Sequence, residues 1–359
     1  MKVIQVMPDF PLAGAEIMCE NLIYALKKQG VKVVAVSLFT RKTPITERLE
    51  SAGIKIVYLD KKPGLDISII GKLYKLFKEE RPTAIHTHRY VMQYAIPAAV
   101  LAGIKRRIHT VHSVAQKELR KPARKLAKLF YSCFRVTPVA LSQAVKKTII
   151  EEYKLCPDAV PVIHNGIDLS KCIVKKDYSF GDTFTILHIG RFQTEKNHSM
   201  LIKAFSKFHT QRADSKLFLI GDGPQKKIIE DLVLELGLGD SVEFLGLQTN
   251  VYGYLYNADL FALPSLYEGI PMTLIEAMGT GLPIVASNVG GIPDMVVNGE
   301  SATLVNVDED QLAVAFSEMY NDERMRNQYG QRVLALSSKF SSETMAIKYI
   351  ELYERSLIQ

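Results

Sequence analysis

The 359-residue chain is poor in cysteine and has no long hydrophobic run. Cys19, Cys133, Cys156 and Cys172 lie far apart and form no C-x-x-C pair. That excludes the common zinc spacings and fits reduced thiols in a cytosolic protein. No apolar stretch approaches the ~20 residues that span a bilayer. The opening MKVIQVMPDF has one lysine and too short an apolar run for a signal peptide. No Ser-His-Asp or Cys-His set offers acyl chemistry, and no DNA-binding motif is present. Gly221-Asp222-Gly223 contains a G-x-G without the third glycine of a dinucleotide fingerprint, which excludes an NAD site. Asp308-Glu309-Asp310 has the D-x-D form of a metal motif. It precedes Gln311-Leu312-Ala313, so it reads as an acidic first helical turn, which the helix dipole favours. No metal and no other cofactor is expected.

What is present points to two domains of unlike charge. The length suggests about two domains, and 47% apolar residues suffice for sizeable cores. Net charge is +7, unevenly spread. Residues 1–175 hold 30 Lys and Arg against 14 Asp and Glu, whereas 176–359 hold 15 against 24. A basic half suggests a polyanionic partner, either nucleic acid or an anionic membrane. Its densest stretch is Lys117–Arg135, with seven basic residues and one acid. Pro122 fits the first turn of a helix there. Ala123, Leu126, Ala127, Phe130 and Phe134 then share one face, while Lys121, Arg124, Lys125 and Lys128 crowd the other. Such a helix reads equally as a membrane-surface element or as a core-facing helix with a solvated cationic side. The basic residues are not interleaved with stacking aromatics, so the membrane is preferred to nucleic acid.

Strands and helices alternate from the start. Lys2–Val6, Val33–Leu38, Lys55–Leu59, Ala84–Thr87, Arg107–His112 and Val136–Leu141 read as strands. Helices are expected at Ala15–Gln29, Ile45–Ala52, Ile67–Glu80 and Gln143–Tyr153, the last capped by Ser142. Gly30 suits the end of the first. The alternation predicts a parallel sheet with ligands at its strand ends. From Ser170 to Asp182 periodicity is lost, and a linker is placed there. The pattern resumes with strands at Thr185–Gly190, Leu217–Ile220 and Val242–Leu247, a helix near Ser199–Phe208, and a last amphipathic helix near Ser341–Leu357.

The chemistry concentrates in Pro264–Asp294, PSLYEGIPMTLIEAMGTGLPIVASNVGGIPD. Glu268 and Glu276 flank a Gly-Ile-Pro turn that hands over to a helix. A helix start leaves backbone N–H groups unpaired, and phosphate is a common anion there. Pro271 has no N–H, so Met272 and Thr273 must supply the donors. Arg191 and Lys196, in a turn after a strand, can neutralise a diphosphate.

PSLYEG…LIEAMGTGLPIVAS closely resembles the donor-sugar motif of the family-4 retaining glycosyltransferases, the "glycosyl transferases group 1" domain. GRFQTEKNHSMLIKAF, the Gly-Asp-Gly-Pro turn at 221–224, IHNGID and the loop PLAGAE are similar to further segments of that family. In the loop, Ala13 replaces the first glycine. Asn197 stands where glycine is commoner, and Pro271 where many members have glycine.

The resemblance covers nearly the whole chain. It implies the α/β GT-B fold: two doubly wound Rossmann-like domains, a cleft between them and a C-terminal crossover helix. The expected division is 1–170 (acceptor-binding and membrane-facing), 171–340 (binding the nucleotide-sugar donor) and 341–359 (crossover helix). It implies that Glu268 faces the transferred sugar and Glu276 binds the ribose. Arg191 and Lys196 stabilise the leaving diphosphate, and Met272 and Thr273 bind it through backbone. Gly14 lets backbone approach the acceptor or the diphosphate, Leu247 belongs to the loop that holds the base, and His112 lies at the transfer site. His109 is the poorer candidate, and His86 and His88 are read mainly as structural.

The implied enzyme is a retaining glycosyltransferase, metal-independent, using a UDP-sugar. The acceptor would be lipid-linked or a glycan, in cell-surface polysaccharide synthesis. The location would be cytoplasmic, peripheral at the inner face of the plasma membrane. A nucleotide-sugar epimerase of the same fold and a non-catalytic partner subunit are the alternatives. The sequence leaves the oligomeric state open.

Overall fold

The computed structural model describes residues 1–354. Residues 355–357 of the expected last helix, and 358–359 of the crossover segment, lie outside the described residues. The chain divides into two units, one of residues 1–167 with the segment from Ser341 onward, the other Asp168–Phe340.

The first unit is built on six strands, β1 (Lys2–Met7), β2 (Lys32–Ser37), β3 (Lys55–Tyr58), β4 (Ala84–His88), β5 (Arg106–Val111) and β6 (Val136–Ala140). All pair in parallel in the order β3-β2-β1-β4-β5-β6. A parallel sheet is covered on both faces, so its strands read as near-continuous Val/Ile runs. β1 and β4 are neighbours although β2 and β3 come between them in sequence. The order therefore reverses there, and the loops after β1 and β4 diverge to leave a crevice at the strand ends.

The second unit repeats the plan with β7 (Phe184–Ile189), β8 (Ser215–Ile220), β9 (Val242–Gly246), β10 (Leu260–Leu263), β11 (Ile284–Ser287) and β12 (Thr303–Val305). The order is β12-β11-β10-β7-β8-β9, all parallel. Its reversal lies between β7 and β10, so the turns after those two strands flank the crevice.

Local chemistry sets the helix ends. Ser142 Oγ accepts from Val145 N–H at 3.1 Å and caps Gln143–Tyr153. Asp308 accepts from Gln311 N–H at 2.8 Å and caps Glu309–Asn321. Glu309 and Asp310 both pair with Lys207, so this acidic triplet belongs to a helix start. Gly30, at φ +77°, ends the helix Gly14–Lys28.

Several segments differ from the sequence reading, three of them informatively. A helix at Met92–Leu101 stands between β4 and β5. It is buried on most sides, which hides a 3.6-residue period, and its Pro97 reads as a breaker. A second helix, Glu323–Ser337, has no strong apolar stripe to announce it. The polar stretch 170–182 is pinned to the second unit: Lys175 N–H donates to Thr280 O at 2.8 Å, and Tyr178 Oη to Gly281 O at 3.0 Å. Lost periodicity there reflects irregular backbone, not a free linker.

The last helix, Ser342–Glu354, packs on Gly14–Lys28 in the first unit. Tyr349 and Tyr353 enter the core fully buried. Among the described residues, no helix is long and apolar enough to cross a membrane.

Candidate active site

In the second unit the turn after β7 and the loop after β10 meet. Lys196 Nζ lies 2.6 Å from Glu268 Oε1, and Ser265 Oγ donates to the same oxygen at 2.6 Å. Glu268 is 9% exposed. A carboxylate so withdrawn from water needs paired donors, and Lys196 and Ser265 supply them. Arg191 stands exposed in the same turn as Lys196, one residue past Gly190. Asn197 closes the turn in the left-handed region (φ 54°), where asparagine is the side chain best tolerated after glycine. That is why Asn substitutes for Gly without harm. Its Nδ2 also donates to Pro264 O at 3.3 Å, tying the turn to the β10 loop.

Backbone crowding fixes this arrangement. A Cβ on Gly221 (φ +142°) would collide with the carbonyl of Gly190, so the Gly-Asp-Gly-Pro turn lies directly against the Gly-Arg-Phe turn. A Cβ on Gly290 (φ +58°) would run into the carbonyl oxygen of Glu268, and Gly291 N–H donates to that oxygen at 3.0 Å. The second glycine pair thus holds the Glu268 loop from behind.

The helix Met272–Thr280 starts at Pro271 with no side-chain cap. The N–H groups of Leu274 and Ile275 turn back to Pro271 O, at 3.2 and 3.3 Å. Met272 and Thr273 precede them at positions without an intrahelical acceptor. Thr273 Oγ1 is buried with no hydrogen-bond partner. A helix start left open in this way favours anions in general.

One turn on, the Glu276 carboxylate is half-buried. Desolvation pushes its pKa up to about 7, against a weak pull downward from Lys171. Tyr252, raised chiefly by burial and then by Glu276, lies beside it. Leu247 is 76% exposed just past β9.

In the first unit, His112 follows β5 at its C-terminal end and is half-buried. Its Nε2 is 3.0 Å from His88 Nδ1, and His88 Nε2 is 2.9 Å from Gln5 Oε1. Burial holds His112 well below the usual histidine range. Glu118 accepts from the backbone N–H groups of His112 and Ser113, and burial pushes its carboxyl up to about 7. His109 is fully buried and bonds Thr87 at 2.9 Å, a mid-strand core residue. Gly14 starts its helix with open space where a side chain would go.

The basic helix runs Lys121–Cys133. Its apolar face is spent on the core, with Ala127, Phe130 and Tyr131 buried and Ala123, Leu126 and Phe134 packed against them. Lys121, Lys125 and Lys128 are exposed. Arg124 must be taken off the free face: it is half-buried and pairs with Glu152 at 3.0 Å.

Sequence reasoning missed Ser265, the packing of the Gly290-Gly291 turn on the Glu268 carbonyl, and the Gln5–His88 pair. The last had a signal. Gln5 is a lone polar residue in a buried Val/Ile strand, and His86 and His88, two apart, share a face of β4.

Comparison with known proteins decides the family. The Glycosyltransferase Family 4 profile matches residues 12–171, and the Glycosyl transferases group 1 profile matches 173–334. The chain belongs to the family-4 glycosyltransferases. It is thus a glycosyltransferase of the retaining, hexosyltransferase type.

Among curated relatives of this glycosyltransferase is N-acetyl-alpha-D-glucosaminyl L-malate synthase of Bacillus anthracis. It is 29% identical over 308 residues, covering 81% of this chain and 79% of the relative. UDP-Gal:alpha-D-GlcNAc-diphosphoundecaprenol alpha-1,3-galactosyltransferase of Escherichia coli is 29% identical over 265 residues, 68% of this chain and 67% of its own. The solved structure of Anabaena HepE with UDP-glucose superposes with a TM-score of 0.84 at 20% identity, over 98% of both chains. That likeness establishes the two-domain GT-B fold.

Proposed function

We propose that this enzyme transfers a sugar from a UDP-sugar to a lipid-linked acceptor in cell-surface polysaccharide assembly, with retention at the anomeric carbon. The observation that carries the reading is the Lys196–Glu268–Ser265 cluster beside an uncapped helix start, at the β7/β10 reversal. Arg191, Lys196 and the N–H groups of Met272 and Thr273 bind the donor diphosphate. They stabilise charge on it as the bond to the sugar breaks. Glu268 faces the sugar, and Glu276 accepts from the ribose hydroxyls. Leu247 lies in the loop at the base. In the first unit, the resemblance to the family assigns His112 to the transferred sugar and Gly14 to the acceptor or the diphosphate. The acceptor hydroxyl attacks the anomeric carbon from the face the diphosphate leaves, and its proton passes to the departing phosphate oxygen. No side-chain nucleophile is needed. Support for the donor and acceptor comes from the Anabaena structure, which holds UDP-glucose, and from the E. coli relative, whose name specifies a UDP-galactose donor and a diphosphoundecaprenol acceptor.

The test is a thermal-shift screen with UDP-, GDP- and ADP-sugars. A ligand at ~100 times its dissociation constant adds about 2.7 kcal/mol to the folded state. We expect UDP-sugars to raise the melting temperature and the others not to. The response should depend on pH. Free Glu276 is about half protonated near pH 7 because burial has raised its pKa. Ribose hydroxyls donate to the ionised form, so binding lowers that pKa and releases a proton. Affinity should therefore climb as pH rises through about 7, and Glu276→Gln should bind more weakly with no such climb. No shift with any nucleotide sugar would remove the donor assignment. Release of an isomerised sugar nucleotide from donor alone would favour an epimerase.

The exposed Lys121, Lys125 and Lys128 suit an anionic membrane at the cytoplasmic face. With the apolar side of that helix buried, attraction would be electrostatic, about 1 kcal/mol per lysine. Changing the three to Glu should abolish pelleting with anionic vesicles. Unchanged pelleting would move the membrane contact elsewhere.

A further inference from the structure

The loop after β3 holds two aliphatic side chains in water. Leu65 is 75% exposed and Ile67 69%, the most exposed large apolar side chains described in the first unit. Single exposed apolar residues are common, but this loop is built to present a pair. Lys61 is buried beneath it. Its ammonium donates to Lys62 O at 2.8 Å and to Gly64 O, and stands over the rings of Phe39 and Tyr94. Asp66, also buried, accepts from Lys62 N–H at 2.9 Å and from Ser68 N–H at 3.1 Å. Asp66 N–H in turn meets Tyr94 Oη at 3.4 Å, in the helix Met92–Leu101. The polar groups of the loop thus turn inward, and Leu65 and Ile67, on either side of Asp66, are left facing out. A loop already fixed in this way loses little conformational freedom when its tip is bound.

The surroundings are basic. From Lys61 to Lys78 the exposed charges are Lys62, Lys72, Lys75 and Lys78, and the single acid is the buried Asp66. Exposed Asp60 and Glu79 bound the stretch. Lys72 Nζ donates to Leu59 O at 2.6 Å, which holds it beside the loop. The helix Ser68–Glu80 buries Ile69, Leu73, Leu76 and Phe77. Ile67, Gly71, Lys75 and Lys78 follow one another at helical spacing and share its outer stripe.

The same stripe belongs to a wider basic layer. The steps from β3 to β4, β4 to β5 and β5 to β6 all run the same way across the sheet. Right-handed crossovers then set their helices on one face, and Ser68–Glu80 and Lys121–Cys133 both pack on Met92–Leu101. The lysines of both basic helices therefore share one side of the sheet. All strands are parallel, so the β3 loop lies at the edge where the β1/β4 crevice opens, two strands or about 10 Å from β1.

We propose that Leu65 and Ile67 insert between the headgroups of an anionic bilayer, with Lys62, Lys72, Lys75 and Lys78 resting on the lipid phosphates. An apolar tip with a cationic rim complements such a surface on both counts. Charge draws the protein in, and the aliphatic pair enters the acyl boundary. A second copy of this chain would bring the same positive charge to the patch and be repelled. A soluble anion would leave Leu65 and Ile67 in water. The proposal deepens the membrane reading given above and rests on it for the partner, but not on Lys121, Lys125 or Lys128.

The chain contains no tryptophan, so a single introduced indole reports its own surroundings. Leu65→Trp should shift its emission to the blue with vesicles of mixed phosphatidylglycerol and phosphatidylcholine, and brominated acyl chains should quench it. Vesicles of phosphatidylcholine alone should do neither. Leu101→Trp is the control. Leu101 is 67% exposed at the opposite edge of the sheet, where its helix leads into β5, and its emission should not move. Should the melting curve show that Leu65→Trp fails to fold, Ile67→Trp replaces it. Unmoved emission at position 65 in protein that pellets with the vesicles would overturn the proposal, as would equal shifts at 65 and 101. A blue shift without vesicles, growing with protein concentration, would overturn it in favour of a contact between copies.

Leu65→Ser combined with Ile67→Ser keeps every charge. It should weaken binding to the anionic vesicles about a hundredfold, about tenfold for each aliphatic side chain, with an unchanged melting curve. Unchanged binding would overturn the insertion. If the Lys121, Lys125 and Lys128 variant stops pelleting while the double serine variant binds normally, the charge reading stands and the insertion is wrong. If the wild type binds no anionic vesicle, both fall together.

Discussion

Glu268→Gln should lower the rate of sugar transfer by about two to three orders of magnitude, the usual cost of removing one preorganised electrostatic group, while donor affinity stays the same or tightens. The substitution keeps the shape of the side chain and can still accept from Ser265. What it removes is the negative charge 2.6 Å from Lys196. In the free enzyme that charge holds Lys196 in place and shares its ammonium. Without it, Lys196 would be free to turn to the diphosphate of the proposed donor, which would favour donor binding. The partial positive charge that grows on the sugar as its bond to phosphate breaks then loses its nearest carboxylate. Loss in kcat with unchanged or improved donor binding is the signature of an interaction made mainly in the transition state. Single-turnover transfer, with donor affinity from calorimetry, measures both halves. Full turnover in Glu268→Gln would remove Glu268 from the chemistry and leave Lys196–Glu268 as a structural pair.

Gly290→Ala should destabilise the protein by about 3 kcal/mol and abolish activity together. Two costs combine at this position. The left-handed backbone (φ +58°) penalises any side chain by about 1–2 kcal/mol. In addition, the new methyl would meet the carbonyl oxygen of Glu268, a backbone atom that no rotamer change can move aside. Relief requires the Glu268 loop to shift, and that loop carries the carboxylate of the site. Gly299→Ala separates the two terms, because Gly299 has φ +73° with open space around it. It should cost only the backbone strain, and activity should survive. Denaturant melts of the two variants make the comparison. Equal destabilisation would show that the loop yields freely and that Gly290 does not brace the site.

Much of the site could be read from the sequence because its parts are local. Glu268, Met272, Thr273 and Glu276 lie in one loop and the helix it starts, and a loop-to-helix handover fixes where the N–H groups point whatever surrounds it. Arg191 and Lys196 share one short turn in the same way. The strands were recognisable because a buried parallel strand is apolar along its whole length. The Met92–Leu101 helix was not, for the same reason: buried on most sides, it carries no stripe for a period to show. Arg124 belonged, in sequence, with three other cations. Only the packing of its helix against Gln143–Tyr153 brings Glu152 within 3.0 Å and takes it out of the free group.

The sequence by itself determined the family, the parallel α/β architecture and which side chains make up the proposed diphosphate cradle, since these follow from short-range pattern and from motifs within one loop or turn. Tertiary structure decided which groups meet across the sheets. Lys196 finds Glu268 from 72 residues away, and Gln5 finds Tyr353 from 348 away. Such contacts depend on strand order, here the reversal at β1/β4 and β7/β10. Strand order is set by how helices cover both faces of a sheet, and no stretch of sequence carries that information alone.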